Sequence, residues 1–240
     1  MDLKDLFKGY KIGDIVTVQG WIRNHRKQKE FGFIDFSDGT TQEHLQIVYD
    51  NNLSNFDDIQ KMLVGCAIEV KGELVSSSGN QEVELKADEV VLLGDCPADY
   101  PIQPKRHTRE FLREQAYLRP RTNLFQAVFR VRSLAAYAIH KYFQDRNYVY
   151  FHAPLITASD CEGAGEMFQV TTLDLDRVNG KPDYSKDFFG KMASLTVSGQ
   201  LEAETFALAY KKTYTFGPTF RAENSNTKTH ANEFWMIEPE

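Results

Sequence analysis

Cysteine is scarce, with three in the whole chain, at positions 66, 96 and 161. So few and so scattered, they exclude a disulfide framework or a zinc knuckle and read as reduced thiols. Long apolar runs are also lacking: no window approaches the ~18 residues that a membrane span needs. The start Met-Asp-Leu-Lys-Asp-Leu-Phe has no basic stretch followed by an apolar one. Neither a span nor a signal peptide is expected, and the chain reads as cytoplasmic. An excess of positive charge is missing too. The 28 Lys and Arg stand against 34 Asp and Glu, a net charge of -6. That excludes a wholesale basic coat for nucleic acid but leaves room for a local basic patch. Repeats and low-complexity segments are absent. What remains is globular composition over 240 residues, 42% hydrophobic and 26% charged, enough for one large domain or two small ones.

The chain changes period part-way along. Val16, Val18, Gly20 and Ile22 alternate with Thr17, Gln19, Trp21 and Arg23, the pattern of a half-buried strand. Further alternating runs lie around Ile34 and Phe36, Leu45 to Tyr49, Ile68 to Leu74 and Val83 to Ala87, with a turn at Ser78-Gly79-Asn80. One helix is expected over Asn55–Leu63. Five strands with a helix between the third and fourth predict an OB-fold barrel. Residues 97–121 then carry Pro97, Pro101, Pro104 and Pro120. Between Pro104 and Arg121, six Lys or Arg face two Glu, a local net of +4. This stretch reads as a basic hinge or, equally, as a solvated linker. From Asn123 apolar residues recur every three or four positions, predicting a helix of about seven turns capped by Asn123 and ended near Asn147. A strand at Val149–Phe151, a helix over Leu201–Lys212 and strands over Tyr214–Glu223 and Glu233–Glu238 complete the reading.

Two groups of residues carry chemistry. Period two sets Trp21, Arg23, Phe33, Gln46, Glu82 and Glu84 on the barrel face away from Val18, Ile34, Ile47 and Val83. An aromatic ring, an amide and a guanidinium on one face can stack on and hydrogen-bond an unpaired base. Arg26, Lys27 and Lys29 stand nearby for phosphates. In the second group, Arg221 and Glu223 are expected on one face of one strand, followed by a polar loop with Lys228 and His230, and then Phe234. The guanidinium can neutralise a phosphate, the carboxylate can accept from an amine, and the ring can stack on a purine. Taken alone, the pair also fits a surface salt bridge.

Context narrows this. Phe220-Arg221-Ala222-Glu223, a polar loop and His230-Ala231-Asn232-Glu233-Phe234 closely resemble motif 2 of the class II aminoacyl-tRNA synthetases. The long helix leading into Tyr148-Val149-Tyr150-Phe151-His152-Ala153-Pro154 resembles motif 1, whose proline lies at the dimer interface; Asn147 stands where the family usually has glycine. A barrel ahead of motif 1 resembles the aspartyl, asparaginyl and lysyl subclass. Thr196-Val197-Ser198-Gly199-Gln200-Leu201-Glu202-Ala203-Glu204 looks most like its asparaginyl members. The resemblance implies an α+β multi-domain chain: an OB-fold anticodon-binding barrel over 1–96, a hinge over 97–121, and the first part of a class II antiparallel-sheet catalytic domain over 122–240.

It also implies roles. Arg221 would grip the α-phosphate of ATP and Glu223 would face the adenine amine or the adenylate. His230 would reach the outer phosphates and Phe234 would stack on adenine. The loop Cys161–Glu166 resembles the mobile substrate loop, with Glu162 meeting the α-ammonium of the amino acid, and Ser198 and Gln200 completing that site. Arg23, Phe33, Gln46 and Glu82 would meet the anticodon. The implied partners are asparagine, ATP with Mg2+, tRNA-Asn and a second copy through motif 1; no metal ligand is assigned. Aspartyl members read Gln-Leu-Tyr-Lys where this chain has Gln200-Leu201-Glu202-Ala203. Without that lysine a charge-assisted contact of roughly 1.5–3 kcal/mol is lost, which favours asparagine over aspartate. The resemblance runs out at Glu240, before motif 3 and its second arginine. The expectation is therefore an asparagine–tRNA ligase whose residues 1–240 alone have impaired or no activity. The alternatives are an aspartate–tRNA ligase and a non-catalytic tRNA-binding module.

Overall fold

The computed structural model describes every residue except Ser78, Asn80, Glu162, Ala164, Gly165 and Lys228. The expected turn at Ser78-Gly79-Asn80, the Glu162 contact and Lys228 thus lie wholly or partly outside the described residues. The chain divides into two compact units, Met1–Arg132 and Ser133–Glu240. In the first, helix α1 (Leu3–Gly9) precedes strands β1 (Ile15–Lys27), β2 (Phe31–Ser37) and β3 (Leu45–Asp50). Helix α2 (Phe56–Ile59), strands β4 (Ala67–Ser76) and β5 (Val83–Gly94), helix α3 (Arg109–Glu114) and helix α4 (Asn123–Gln144) follow. The five strands close into a barrel in the order β1-β2-β3-β5-β4, the expected OB-fold.

Alternation builds that barrel. Val18, Ile22, Ile34, Phe36, Leu45, Ile47, Val70 and Leu85 are wholly buried, every second residue of their strands, while their neighbours face out. Leu3 and Leu6 of α1 join the same core, as do Leu112 and Leu118 from the hinge. Helix α2 is shorter than the expected Asn55–Leu63. The Lys61 and Met62 amides bond three residues back, to Asp58 and Ile59. That tightened geometry ends the helix early, yet Ile59 and Met62 stay buried.

One departure from alternation matters for function. The β1–β2 register runs Ile22 to Phe36 and then Asn24 to Asp35, so Arg23 is the extra residue of a bulge. Bulges re-aim side chains. The Arg23 guanidinium is spent on the hinge, its Nη1 donating to the Arg121 carbonyl at 2.5 Å.

Inside the barrel wall His25 lies between the Met62 carbonyl, 3.1 Å from Nδ1, and the Tyr49 hydroxyl, 2.6 Å from Nε2. Burial lowers its pKa from 6.5 to about 4, and burial pushes Tyr49 up to about 12. The unfolded chain therefore takes up a proton at His25 before the folded one does. This residue's contribution is complete above pH 6.5 and drains away as the pH falls through 6.5 towards 4. Because water still reaches part of the ring, the loss is discounted to roughly 1–3 kcal/mol. Urea midpoints at pH 7.5 and 4.5 should separate less in His25→Gln than in the parent. An equal pH dependence in both would remove His25 from the account.

The second unit holds most of α4, strands β6 (Val149–Tyr150), β7 (Ile156–Thr157), β8 (Gln169–Val170) and β9 (Ala193–Leu195), helix α5 (Gln200–Tyr210), and strands β10 (Thr213–Phe220) and β11 (Glu233–Pro239). They form two sheets, ordered β11-β10-β6 and β7-β9-β8. Asn147 takes a positive φ of 63°, the left-handed stop expected at the end of α4. The cap differs: Thr122 rather than Asn123 accepts, from the Phe125 amide at 3.4 Å. Strand β10 also stops before Arg221 and Glu223, so the two do not share a strand face. The Arg221 amide still bonds Asn232, but the Ala222 amide turns to the Glu166 carbonyl. No residue of α4 is buried; Val131, Leu134 and Tyr137 are about two-thirds exposed, at 66%, 67% and 67%. Among the described residues no helix is long and apolar enough to cross a membrane.

Candidate functional site

On the barrel, β1, β2, β3 and β5 place one connected polar cluster around Phe33. Arg26 and Phe33 are register partners, as are Asp35 and Gln46, and Gln46 and Glu84. The Arg26 guanidinium carbon lies 4.9 Å from the Phe33 ring centre, a cation–π contact. Its Nη2 donates to Gln46 Oε1 at 2.6 Å, and Gln46 Nε2 donates to Glu84 Oε1 at 2.7 Å. The Ser77 hydroxyl donates to the same carboxylate oxygen. Both ends of the Gln46 amide are therefore oriented, which pre-sets it for a base edge.

Phe33 and Gln46 thus come together as expected, but two of the expected companions do not. Arg23 is turned to the hinge by its bulge, and Arg26 holds the place over Phe33. Glu82 accepts from the Tyr10 hydroxyl at 3.2 Å, while Glu84, buried to 8% exposure, engages Gln46. Alternation places Glu82 and Glu84 on the same face, and only the β3–β5 register tells which of them meets Gln46. Replacing Phe33 by Ala should weaken tRNA binding by about 1–3 kcal/mol, the loss of one base stack, with ATP affinity unchanged. Equal filter binding of tRNA by variant and parent at fixed salt would refute the stack.

In the second unit the β10–β11 hairpin pairs Phe220 with Glu233 and Thr219 with Phe234. Asn232 closes the loop, its Nδ2 donating to the Arg221 carbonyl at 2.8 Å and to the Glu223 carbonyl at 3.4 Å. The Arg221 guanidinium carbon is 5.5 Å from the Phe234 ring centre. Arg221 Nε and Glu223 Oε2 are both buried with no hydrogen-bond partner among the described residues. A surface salt bridge would satisfy such atoms, so that simpler reading fails here. A buried donor and a buried acceptor left open beside an aromatic ring are arranged for a ligand. His230 is exposed in the loop and is not drawn into this group.

Behind the hairpin, Glu238 organises the start of α5, a role that its place in a strand run does not signal. Its carboxylate accepts from the Gly199 amide at 2.9 Å, from the Thr215 hydroxyl at 3.1 Å, and from the Ser198 hydroxyl. Ser198 Oγ in turn accepts from the Gln200 amide at 3.1 Å. Ser198 is thus a buried support for Gln200 rather than an open contact. Gly199 has room for nothing more: a Cβ there would stand 3.0 Å from Ala153 Cβ and from Thr215 Oγ1. The Gln200 side chain is held by Glu204, to which Nε2 donates at 3.0 Å. The Cys161 thiol points at Gln200 Oε1 at 3.8 Å. Ala203 is wholly buried, so a lysine at this position would require a carboxylate partner.

Both parts of the chain match known families. Residues 16–93 match the family described as the OB-fold nucleic acid binding domain. Residues 108–240 match the family described as tRNA synthetases class II (D, K and N). The chain belongs to the class II tRNA synthetases. Within that family it is 61% identical over 234 residues to an asparagine–tRNA ligase of Acholeplasma laidlawii, covering 95% of this chain and 50% of that protein. An asparagine–tRNA ligase of Clostridium tetani is 59% identical with the same coverage. The chain thus spans about half the length of the synthetases it matches. An asparaginyl-tRNA synthetase of Pyrococcus horikoshii complexed with asparaginyl-adenylate shares the fold at a TM-score of 0.80 and 22% identity, over 95% of this chain and 50% of that one. A putative aspartyl-tRNA synthetase of Leishmania major also reaches 0.80, at 16% identity, over 100% of this chain and 47% of that one. The fold alone therefore does not separate asparaginyl from aspartyl synthetases.

Proposed function

We propose that this chain supplies the anticodon-binding barrel (1–96), the hinge (97–121) and the first part of the catalytic domain (122–240) of an asparagine–tRNA ligase. The observation that carries the reading is the open pair of the hairpin, Arg221 Nε and Glu223 Oε2, beside Phe234. It is what an adenylating site requires: a cation for the α-phosphate, an acceptor for the adenine amine and a ring for the purine. The asparagine carboxylate attacks the α-phosphorus, pyrophosphate leaves, and the acyl group then passes to a terminal ribose hydroxyl of tRNA-Asn. Arg221 acts by neutralising charge that grows in the transition state, and the hairpin acts by holding the reactants in line. Gln200, fixed from behind by Ser198 and Glu238, contributes to the amino-acid pocket; the partner for the α-ammonium implied by the resemblance is Glu162, which lies outside the described residues. His230, exposed between the two strands, is the residue proposed for the outer phosphates. Magnesium is the expected companion of ATP, but among the described residues no cluster of three His, Cys, Asp or Glu could hold a metal ion.

The identity to asparagine–tRNA ligases and the buried Ala203 support asparagine over aspartate. In a version extended to the full length of its relatives, pyrophosphate exchange should depend on asparagine. Faster exchange with aspartate at equal concentration would turn the reading to an aspartate–tRNA ligase. The exposed apolar stripe of α4 supports a homodimer through this helix, and the same extended protein should sediment as one. A cytoplasmic setting follows from the reaction proposed.

A further inference from the structure

The basic hinge has no part in either site above, and neither has Arg23. Both belong to a groove of about 1370 Å³ within the first unit, between the barrel wall and residues 100–126. Three residues that line this groove each carry a buried polar atom without a hydrogen-bond partner among the described residues: Arg23 Nε, His44 Nε2 and Gln126 Oε1. Their states are well defined by what holds them. Arg23 is anchored through Nη1 on the Arg121 carbonyl, leaving its Nε–H unmet. His44 is held through Nδ1, 2.8 Å from Asp35 Oδ1, and its side chain is 15% exposed. Gln126 stands on the first turn of α4.

Cations outnumber anions in the lining: Arg23, Lys105, Arg106, Arg109 and Arg121 stand against Asp35 and Glu110, and none of the five cations has an ion-pair partner among the described residues. Burial is the main cause lowering the Arg23 pKa; Tyr100 and Asp35 act against it, and Arg121 adds to it. The buried Nε–H nonetheless has no acceptor among the described residues. The acceptor Gln126 Oε1 asks for a hydroxyl or amine close to the acceptor that Arg23 lacks. A phosphate ester of ribose offers both at once.

We infer that this groove is a second phosphate-ester site, distinct from the ATP hairpin, in which the Arg23 Nε–H donates to a phosphate oxygen and the two open acceptors, His44 Nε2 and Gln126 Oε1, take adjoining hydroxyl groups. The rim cations Lys105, Arg106 and Arg109 draw the ligand in through long-range attraction. The ester is either a free nucleotide or a ribose-phosphate of an RNA chain; the second source rests on the tRNA reading above and the first does not.

Trp21 lines the groove and is 47% exposed, so it can report on occupancy. The chain carrying Trp235→Phe would be titrated with AMP, with inorganic phosphate and with a tRNA transcript over a series of salt concentrations. Arg23→Gln, His44→Gln and Gln126→Leu would each be compared with Arg221→Gln, which disables the hairpin only. If the ester is free, AMP changes Trp21 emission, the affinity read from that emission falls roughly 10- to 100-fold in Arg23→Gln, and in Arg221→Gln the Trp21 titration keeps its midpoint whatever is lost at the hairpin. If it belongs to RNA, AMP has little effect, and the slope of log K against log salt for tRNA falls by about one in Arg23→Gln. Unfolding midpoints establish that each variant folds; should Arg23→Gln fail to fold, His44→Gln and Gln126→Leu carry the comparison. AMP and tRNA binding unchanged in every folded groove variant would overturn the proposal. So would a parent that binds neither.

Discussion

Residues 1–240 by themselves are expected to show no asparagine-dependent pyrophosphate exchange above background, whereas a version extended to the full length of the relatives turns over. On the reading proposed above, Arg221, Glu223 and Phe234 supply only one wall of an ATP site. In the sheet order β11-β10-β6, β11 is an edge, and Trp235 and Ile237 on it are 47% and 40% exposed. An unpaired edge and exposed apolar residues leave this side of the sheet uncovered. The resemblance implies a second arginine, from motif 3, opposite Arg221. Without it the developing pyrophosphate charge meets Arg221 and water, with little preorganisation. Removing one preorganised donor typically costs ~10²–10³ in rate, and here several are missing together. The barrel has its own closed core, so tRNA binding by the same chain should survive. Comparable exchange by the short and extended proteins would show that the site lies elsewhere.

The second large effect concerns Arg221 in that extended protein. Arg221→Ala should lower asparagine-dependent exchange by about 10²–10³-fold, while the thermal midpoint stays close to the parent's. The two effects separate because the residue's structural duties fall on its backbone, which bonds Asn232 in both directions. Its Nε is unpartnered, so truncation leaves no protein group newly orphaned apart from the Phe234 contact, worth about 0.5–1 kcal/mol at an exposed site. Exchange reduced less than tenfold, or a fall in rate matched by a collapse in stability, would remove Arg221 from the α-phosphate.

How much of this was legible beforehand follows from the range of the interactions involved. Barrel strands could be read because burial on one face imposes a period of two over many residues. Helix α4 and its stop at Asn147 could be read because both are local: apolar spacing, and a residue that tolerates positive φ. The sheet β7-β9-β8 could not, since strands of two or three residues are too short to carry a period and exist only through pairing across distant segments. Motif 2 was legible because Arg221, Glu223 and Phe234 stay close along the chain.

By itself, then, the sequence determined the barrel, its inner face, the long helix, the hairpin residues and the family to which they point. Only the tertiary structure decided which neighbours these residues keep. A single bulge at Arg23, set by pairing between β1 and β2, turned that side chain from the face of Phe33 and Gln46 to the hinge and left Arg26 over Phe33. The β3–β5 register chose Glu84 rather than Glu82 to orient Gln46. The return of β11 beside β10 brought Glu238 under Ser198 and Gly199, so that Ser198 also supports Gln200. Register and bulges are properties of strand pairs, and a pair is specified by contacts between distant residues rather than by either strand's own composition.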